Sequence, residues 1–533
     1  MKTFVRVLAL ILVCLTCLPF IVACDGGSSD IGESVTVYLD EAGVRWAEDE
    51  WGYLRQYDDL PFDLDYDDEE INVLVWNTNA AEFIQTEETE NARESSIYKR
   101  NNAVQDRLGV TLNMVTETAG NGDNDPYAQR VSNLKASGLH DFDLLACYSR
   151  TAGTLLANGL WRNLTNIEGS FIDIKKPWWP ANIVDNLSIN DCLYYVSGDI
   201  SMTAIDQMQV IFFNKALLNE KYEEEALAAE CENATEWIYK HVYEGKWTVD
   251  VFLNLISGTY RDRDNSQSLT PSDIYGLAVN VRGIAGMYNG CNLRMVQNDP
   301  NKILKISDDF SSTRATKLVS KIGAMMNSGD AWGDLHAANQ AGSCYDPFYK
   351  GNSYFLIQIL DVAQTNLVSN QNLDGYGILP YPKYDENQAN YYTMLGNPFS
   401  IYGIYNDFED RGDDAATAKM LTAIIECWAS ESYRKCTPVI FELNMQLKLS
   451  ETQHETNMCE YVRCGIMFDM GRIFPQILSG GAANDADAVP DIQFARACIH
   501  NSSWTTYYRK TLNSMNNNLE KFVNNLLSRP EYQ

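Results

Sequence analysis

The chain is well supplied with side chains that grip a polar solute and poorly supplied with those that break one. It carries 30 Tyr, 11 Trp and 72 Asp plus Glu. Flat rings pack on apolar faces, while carboxylates and amides fork hydrogen bonds to vicinal hydroxyls. The same residue types also fill cores or face water, so type alone singles out no position. Histidine is scarce: His140, His241, His336, His454 and His500. No Gly-x-Ser-x-Gly, His-Glu-x-x-His or Gly-x4-Gly-Lys-Ser/Thr pattern occurs. A glycosidase needs only two carboxylates, and among so many acids such a pair cannot be picked out. Asp262, Asp264 and Ser266, with Asp273, echo a calcium loop, but Gln267 stands where that loop needs Gly and Pro271 intrudes. The segment reads as a solvated turn. His454, Cys459 and Cys464 fit no common zinc spacing. They read as buried thiols or as one disulfide, such as Cys459 with Cys464. No metal, cofactor or catalytic residue is expected.

One cysteine has a clearer chemistry. Lys2 and Arg6 precede an apolar run over 7–20, and Ile21-Val22-Ala23-Cys24 follows, then a Gly/Ser-rich exit. This order predicts an export signal over 1–23. A small residue before Cys24 resembles the bacterial lipobox, with Ile21 at the usual Leu position. Lipidation of Cys24 would hold the chain at the extracellular face of the cell membrane. No later stretch reaches the 18 or so apolar residues of a membrane helix. The formal net charge of −31 argues against nucleic acid, which calls for a basic surface. Ten scattered cysteines beyond Cys24 do not make a small disulfide scaffold.

The elements that must position any site follow from pattern. Residues 24–70 are acidic and poor in aliphatics, which predicts a flexible stalk, although Trp46, Trp51 and Tyr53 are suited to docking on the body. Ile71-Asn72-Val73-Leu74-Val75-Trp76 is a buried-strand run, and Asn77 opens the loop after it. A helix over 95–108 ends at Gly109. A strand over 110–115, a helix over 126–136 stopped by Gly138 and a strand over 141–146 come next. Alternation at these intervals means a mainly parallel sheet with crossover helices. Ligands then bind beyond the carboxyl ends of the strands, at 77–82 and 147–151. Strands are also expected at 193–196 and 210–213. Helices are expected at 216–220, 237–242, 249–256 with Thr248 as N-cap, 312–326, 415–429 and 511–527.

Four segments then resemble the extracellular solute-binding proteins of carbohydrate ABC importers, family 1, to which maltose-binding protein belongs. They are Asp143 to Arg150 with 155–164; Tyr194 to Ile200 with Val210 to Lys215; Gly245-Lys246-Trp247-Thr248; and Tyr376 to Lys383. The likeness spans most of 71–443. It implies an α/β, two-lobed periplasmic-binding-protein-like fold (type II), with discontinuous lobes joined by a hinge. The lobes would be 71–205 plus 376–430 and 206–375 plus 431–533. Crossings would fall near 203–208, near 374–381 and after Ala429. The implied function is capture of a carbohydrate by a monomer, for delivery to the permease subunits of an ABC importer. The alternatives are a membrane-anchored carbohydrate-active enzyme using paired carboxylates, and an adhesion or sensory module.

Within that frame the candidate ligand-binding residues are Asn77 and Glu82 after the first strand, and Tyr148 and Arg150 after the third. Asp199 and Asp206 lie at the first crossing, with Asp206 also suited to capping a helix. Trp332 is expected to project from a loop, and Asn397 follows the return crossing. Trp178-Trp179 would serve as a sugar platform or as a surface anchor for the lobe.

Overall fold

The computed structural model describes residues 35–49, 52–119, 125–339, 343–407, 415–445, 453–480 and 490–529. The expected export signal over 1–23 and Cys24 lie outside them. The strands run in the order β1 (Val37–Leu39), β2 (Arg45–Glu48), β3 (Leu54–Gln56), β4 (Glu69–Trp76), β5 (Val110–Glu117), β6 (Leu144–Tyr148) and β7 (Gln209–Asn214). They continue with β8 (Tyr275–Val279), β9 (Val296–Asn298), β10 (Leu304–Ile306), β11 (Ala331–Trp332), β12 (Ser353–Ile359), β13 (Tyr376–Leu379) and β14 (Ser400–Ile404).

Two sheets organise the molecule. The first has the order β14-β6-β4-β5. β4 pairs in parallel with β5, Ile71 opposite Leu112, and with β6, Leu74 opposite Leu145, while β14 closes the edge antiparallel to β6. The second has the order β11-β8-β12-β7-β13. Its β11, β8 and β12 are parallel, and β7 runs against both β12 and β13. Every residue of β7, β8 and β14 is buried. Continuous apolar runs of this kind belong to sheets covered on both faces, which is why they show no alternation.

Local signals set most helix ends. The helix Ala92–Leu108 starts on the Asn91 side chain and stops at Gly109, whose φ of 56° is left-handed. Pro126–Ser137 starts on Asp125 and stops at Gly138 in the same way. Thr248 caps Val249–Ile256 through the Val251 amide. Ala415–Glu431 packs on Ala92–Leu108 and passes through a π turn, Ser432–Cys436, into Thr437–Met445.

Three expectations change. Residues 193–196 form no strand; only Val196 makes an isolated bridge, to Tyr402. Tyr376–Leu379 belongs to the second sheet, paired with β7, so the chain rejoins the first sheet only at Ser400. Residues 52–70 are no free stalk. β1, β2 and β3 form an antiparallel sheet, and the chain after it is pinned to the body. The buried Asp58 carboxylate takes both Arg107 nitrogens, at 2.5 and 2.6 Å. The Tyr57 ring lies between the Arg107 and Arg434 guanidinium groups, 4.6 and 4.4 Å from its centre. Lys176 reaches Asp59 at 2.6 Å. Composition counts aliphatic residues and so overlooks a segment held by charge and cation–π contacts.

Candidate ligand-binding site

The carboxyl ends of β4 and β6 carry the first face of the site. Trp76 ends β4 and stacks on Tyr148, which ends β6, with ring centres 5.1 Å apart and planes inclined by 23°. Beyond Tyr148 the chain turns through Ser149 into the short helix Thr151–Ala157. The Ser149 amide donates to the Phe399 carbonyl at 2.9 Å and its hydroxyl to the Asn397 carbonyl at 2.6 Å. The loop after β6 is thereby tied to the loop that leads into β14. Asn397 is half-buried, and its side-chain oxygen accepts from Arg472 Nη2 at 2.7 Å. Arg472 also donates to the Leu395 carbonyl at 2.9 Å and to Asp491 at 2.6 Å.

The second face comes from the carboxyl ends of β8 and β12. Asn280 follows β8 and caps the helix Val281–Gly290, which sets the exposed Arg282 on its first turn. The Asn280 amide group donates to the Tyr345 hydroxyl. Burial pushes the Tyr345 phenol up, and Gln358 of β12 pulls it back. Asp334 accepts from the Val281 amide and from the Cys344 thiol.

The electrostatics join the two faces. Burial pushes the Tyr148 phenol up, and the guanidinium groups of Arg150, Arg282 and Arg472 pull it back. Burial pushes Arg472 down; Asp491 counters this, while Arg150 and Arg282 push it further. Beside the first face a cavity lined by Ser149, Asn397, Phe399, Asp469 and Arg472 holds about 10 Å³, room for one water. Small-molecule sites span roughly 300–1,000 Å³, so this cavity is too small to be one.

The structure brings Tyr148, Arg150 and Asn397 together and leaves Asn77 nearby at the end of β4, exposed, with its amide donating to Thr118 at 3.0 Å. It draws the other candidates elsewhere. Glu82 is buried beneath the first sheet and accepts from Ser400 and Thr203 at 2.7 Å and from Tyr402 at 3.2 Å. Burial pushes its carboxyl up against the pull of those bonds. Asp199 is buried between Thr437 Oγ1 at 2.6 Å and Arg463 at 2.9 Å. Asp206 forms a bidentate pair with Arg93. Trp332 lies in β11 rather than on a loop. It is fully buried beside Tyr275 and His336, and its indole donates to the Ser343 carbonyl at 3.1 Å. Trp178 and Trp179 are buried too, neither platform nor surface anchor, and Trp179 donates to Glu426 at 3.0 Å.

Arg282, Tyr345, Gln358 and Arg472 escaped the sequence reading. The apolar run Tyr275–Val279 followed by Asn280 is the signal that would have found Arg282, through the rule that placed Tyr148. Arg472 has no local signal, because it reaches the site from a four-residue helix, Met470–Ile473, late in the chain. The calcium echo brings oxygens of Asp262, Asp264 and Asp273 within 4.8 Å of one another. Those carboxylates already accept from Arg263, Ser266, Gln267 and Thr270. Cys459 and Cys464 are free thiols, and His454 bonds the Tyr243 hydroxyl at 2.8 Å. No helix among the described residues is long and apolar enough to cross a membrane.

No protein-family model and no curated protein sequence matches the chain. Solved structures do. The sugar-binding protein MalE from Xanthomonas citri superimposes with a TM-score of 0.52 at 10% identity, over 85% of this chain and 98% of that one. UspC of M. tuberculosis gives 0.51 at 12% identity, over 84% and 100%. The maltose-binding periplasmic protein MalE from Listeria monocytogenes, in complex with maltose, gives 0.50 at 11%, over 86% and 99%. The chain has the α/β fold of these two-lobed binding proteins.

Proposed function

We propose that the protein is a lipid-anchored extracellular receptor that captures a carbohydrate by lobe closure and delivers it to an ABC importer. One observation carries the reading. The carboxyl ends of two separate sheets carry ring and amide side chains, the Trp76–Tyr148 stack at the first and Asn280 bonded to Tyr345 at the second. A solute held by both stabilises the closed state over the open one, which is how binding drives closure. Stacked rings beside amides and hydroxyls suit a pyranose. The fold, shared with sugar-binding proteins, and the expected export signal over 1–23, followed by Cys24, support the same reading. One lobe would hold the first sheet and the other the second, with the return crossing between β13 and β14.

Titration calorimetry of the mature chain against an oligosaccharide panel tests this. A saccharide is expected to bind without being turned over, and Tyr148→Ala is expected to weaken it by about 1–3 kcal/mol. Binding of peptides and no saccharide would overturn the carbohydrate assignment. Turnover of a bound saccharide would overturn the receptor.

A further inference from the structure

The chain passes from the first sheet's side of the molecule to the second's through a π turn. Before it, the helix Ala415–Glu431 packs on Ala92–Leu108, which joins β4 to β5. The turn Ser432–Cys436 and the helix Thr437–Met445 follow. After them the helix Gln453–Cys464 packs on β13, and its Glu455 takes Lys215, just past β7, at 2.7 Å. A π turn is rare and bends the helix that holds it. This one leaves buried polar atoms without a hydrogen bond: the Ser430 and Ser432 hydroxyls and Arg434 Nε. Such groups are costly to bury, and contacts from outside the turn offset that cost.

The N-terminal segment supplies contacts of this kind. Arg55 of β3 stands 5.6 Å from the centre of the Tyr433 ring. The buried Tyr57 ring lies between Arg434 of the turn and Arg107 of Ala92–Leu108. Tyr433 also faces Trp178, with ring centres 6.1 Å apart, and Arg463 of Gln453–Cys464 at 5.1 Å. Arg463 in turn donates to the Pro177 carbonyl and to Asp199, each at 2.9 Å. The segment therefore grips the turn, and through Asp58–Arg107 and Asp59–Lys176 it grips the first sheet's side as well. Cation–π contacts are strongest when desolvated and fade once the cation leaves the ring face.

We propose, resting on the two-lobed receptor reading above, that residues 54–60 are a clamp on the joint between the lobes. Lobe rotation turns Ser432–Cys436 against Ala92–Leu108. It draws Arg434 off a Tyr57 ring that Arg107 and the neighbouring Asp58 hold in place, and it draws Tyr433 off Arg55. The docked clamp thus stabilises the lobe arrangement of this structure. Val35 stands eleven positions beyond Cys24, so the clamp follows directly on the tether of an anchored chain. Attachment and lobe angle then share one element.

X-ray scattering and hydrogen exchange of the ligand-free mature chain test this. Tyr57→Leu keeps the space filled and removes the ring, and Arg55→Gln removes the charge over Tyr433. Asp59→Asn breaks the Lys176 pair without touching the turn. At a temperature well below melting, the first two variants are expected to raise the radius of gyration. They should also speed exchange of the 432–436 amides about fivefold to tenfold, with the amides of 97–106 unchanged. Asp59→Asn is expected to move neither quantity. Arg55 is only half-buried, so Arg55→Gln carries the test alone where Tyr57→Leu does not fold. An unchanged radius, or exchange that quickens equally over 97–106, makes these contacts ordinary docking. That result overturns the clamp and leaves the receptor standing on its saccharide panel. Failure of the whole panel, with a radius that no variant moves, overturns the lobed receptor and this inference with it.

Discussion

At the scale of single residues, burial separates the candidates that meet the cleft from those that hold the protein together. Tyr148 and Trp332 are both aromatic, and both sit at the ends of strands. Tyr148 ends β6 half-buried at the carboxyl end of the first sheet, whereas Trp332 ends a two-residue strand and is enclosed by Tyr275 and His336. Trp332→Ala is therefore expected to cost about 3–5 kcal/mol of stability, read as a lower urea midpoint, with saccharide affinity unchanged at a temperature where the variant is folded. A loss of affinity without loss of stability would return Trp332 to the site. Glu82 is a plausible candidate because it follows the first strand, and Asp199 and Asp206 because they lie at the expected first crossing. They are spent on Ser400, Thr437, Arg463 and Arg93 instead. Sequence reports that a carboxylate is close to a turn but not which partner has reached it from hundreds of residues away.

At the scale of elements, the N-terminal sheet shows how a segment with little apolar surface still docks. Asp58 is buried against Arg107 on the helix Ala92–Leu108, with Arg434 of the π turn close by. Burial alone would raise its carboxyl, but Arg107 and Arg434 outweigh it and hold the folded value below the ordinary one. The unfolded value is about 3.9. The pair thus contributes its full stability above that pH and loses it as pH falls through the folded pKa. Asp58→Asn is expected to cost about 3–5 kcal/mol at neutral pH by stranding a buried guanidinium. Its stability below about pH 4 should fall less steeply than that of the wild type. Urea melts at neutral and acid pH measure both effects, and equal acid slopes would deny the pair its role. Elements set by local chemistry were readable beforehand. Gly109 and Gly138 end their helices and Thr248 begins one because capping needs only neighbouring residues.

At the scale of the whole molecule, the proposed receptor would have a latch away from the site. The β9–β10 hairpin reaches the turn at 186–191. Asn298 donates to the Ser188 carbonyl, and the Asn190 amide donates to the Lys302 carbonyl, each at 2.9 Å. Arg294 donates to Asn186. Under the proposed lobe assignment, opening would break these bonds, so they would bias the resting state towards closure. Asn298→Ala is expected to raise the radius of gyration of the free protein in X-ray scattering. By shrinking the closed fraction it should also weaken apparent affinity about twofold to tenfold. A scattering curve unchanged by the variant would mean that the latch does not set the equilibrium.

The sequence by itself determined the α/β class, the parallel core of the first sheet, most helix ends and the place of Tyr148. Each rests on periodicity or capping within a few turns of chain, and that physics is local. The acidic bulk was equally plain from composition. Only the tertiary structure decided that 376–379 joins the second sheet, that 52–70 is docked, and that Trp332 is core. Those outcomes depend on which distant surfaces meet. Strand partners and ion partners hundreds of residues apart leave no periodic trace in either segment, because the energy that selects them appears only when both are in place.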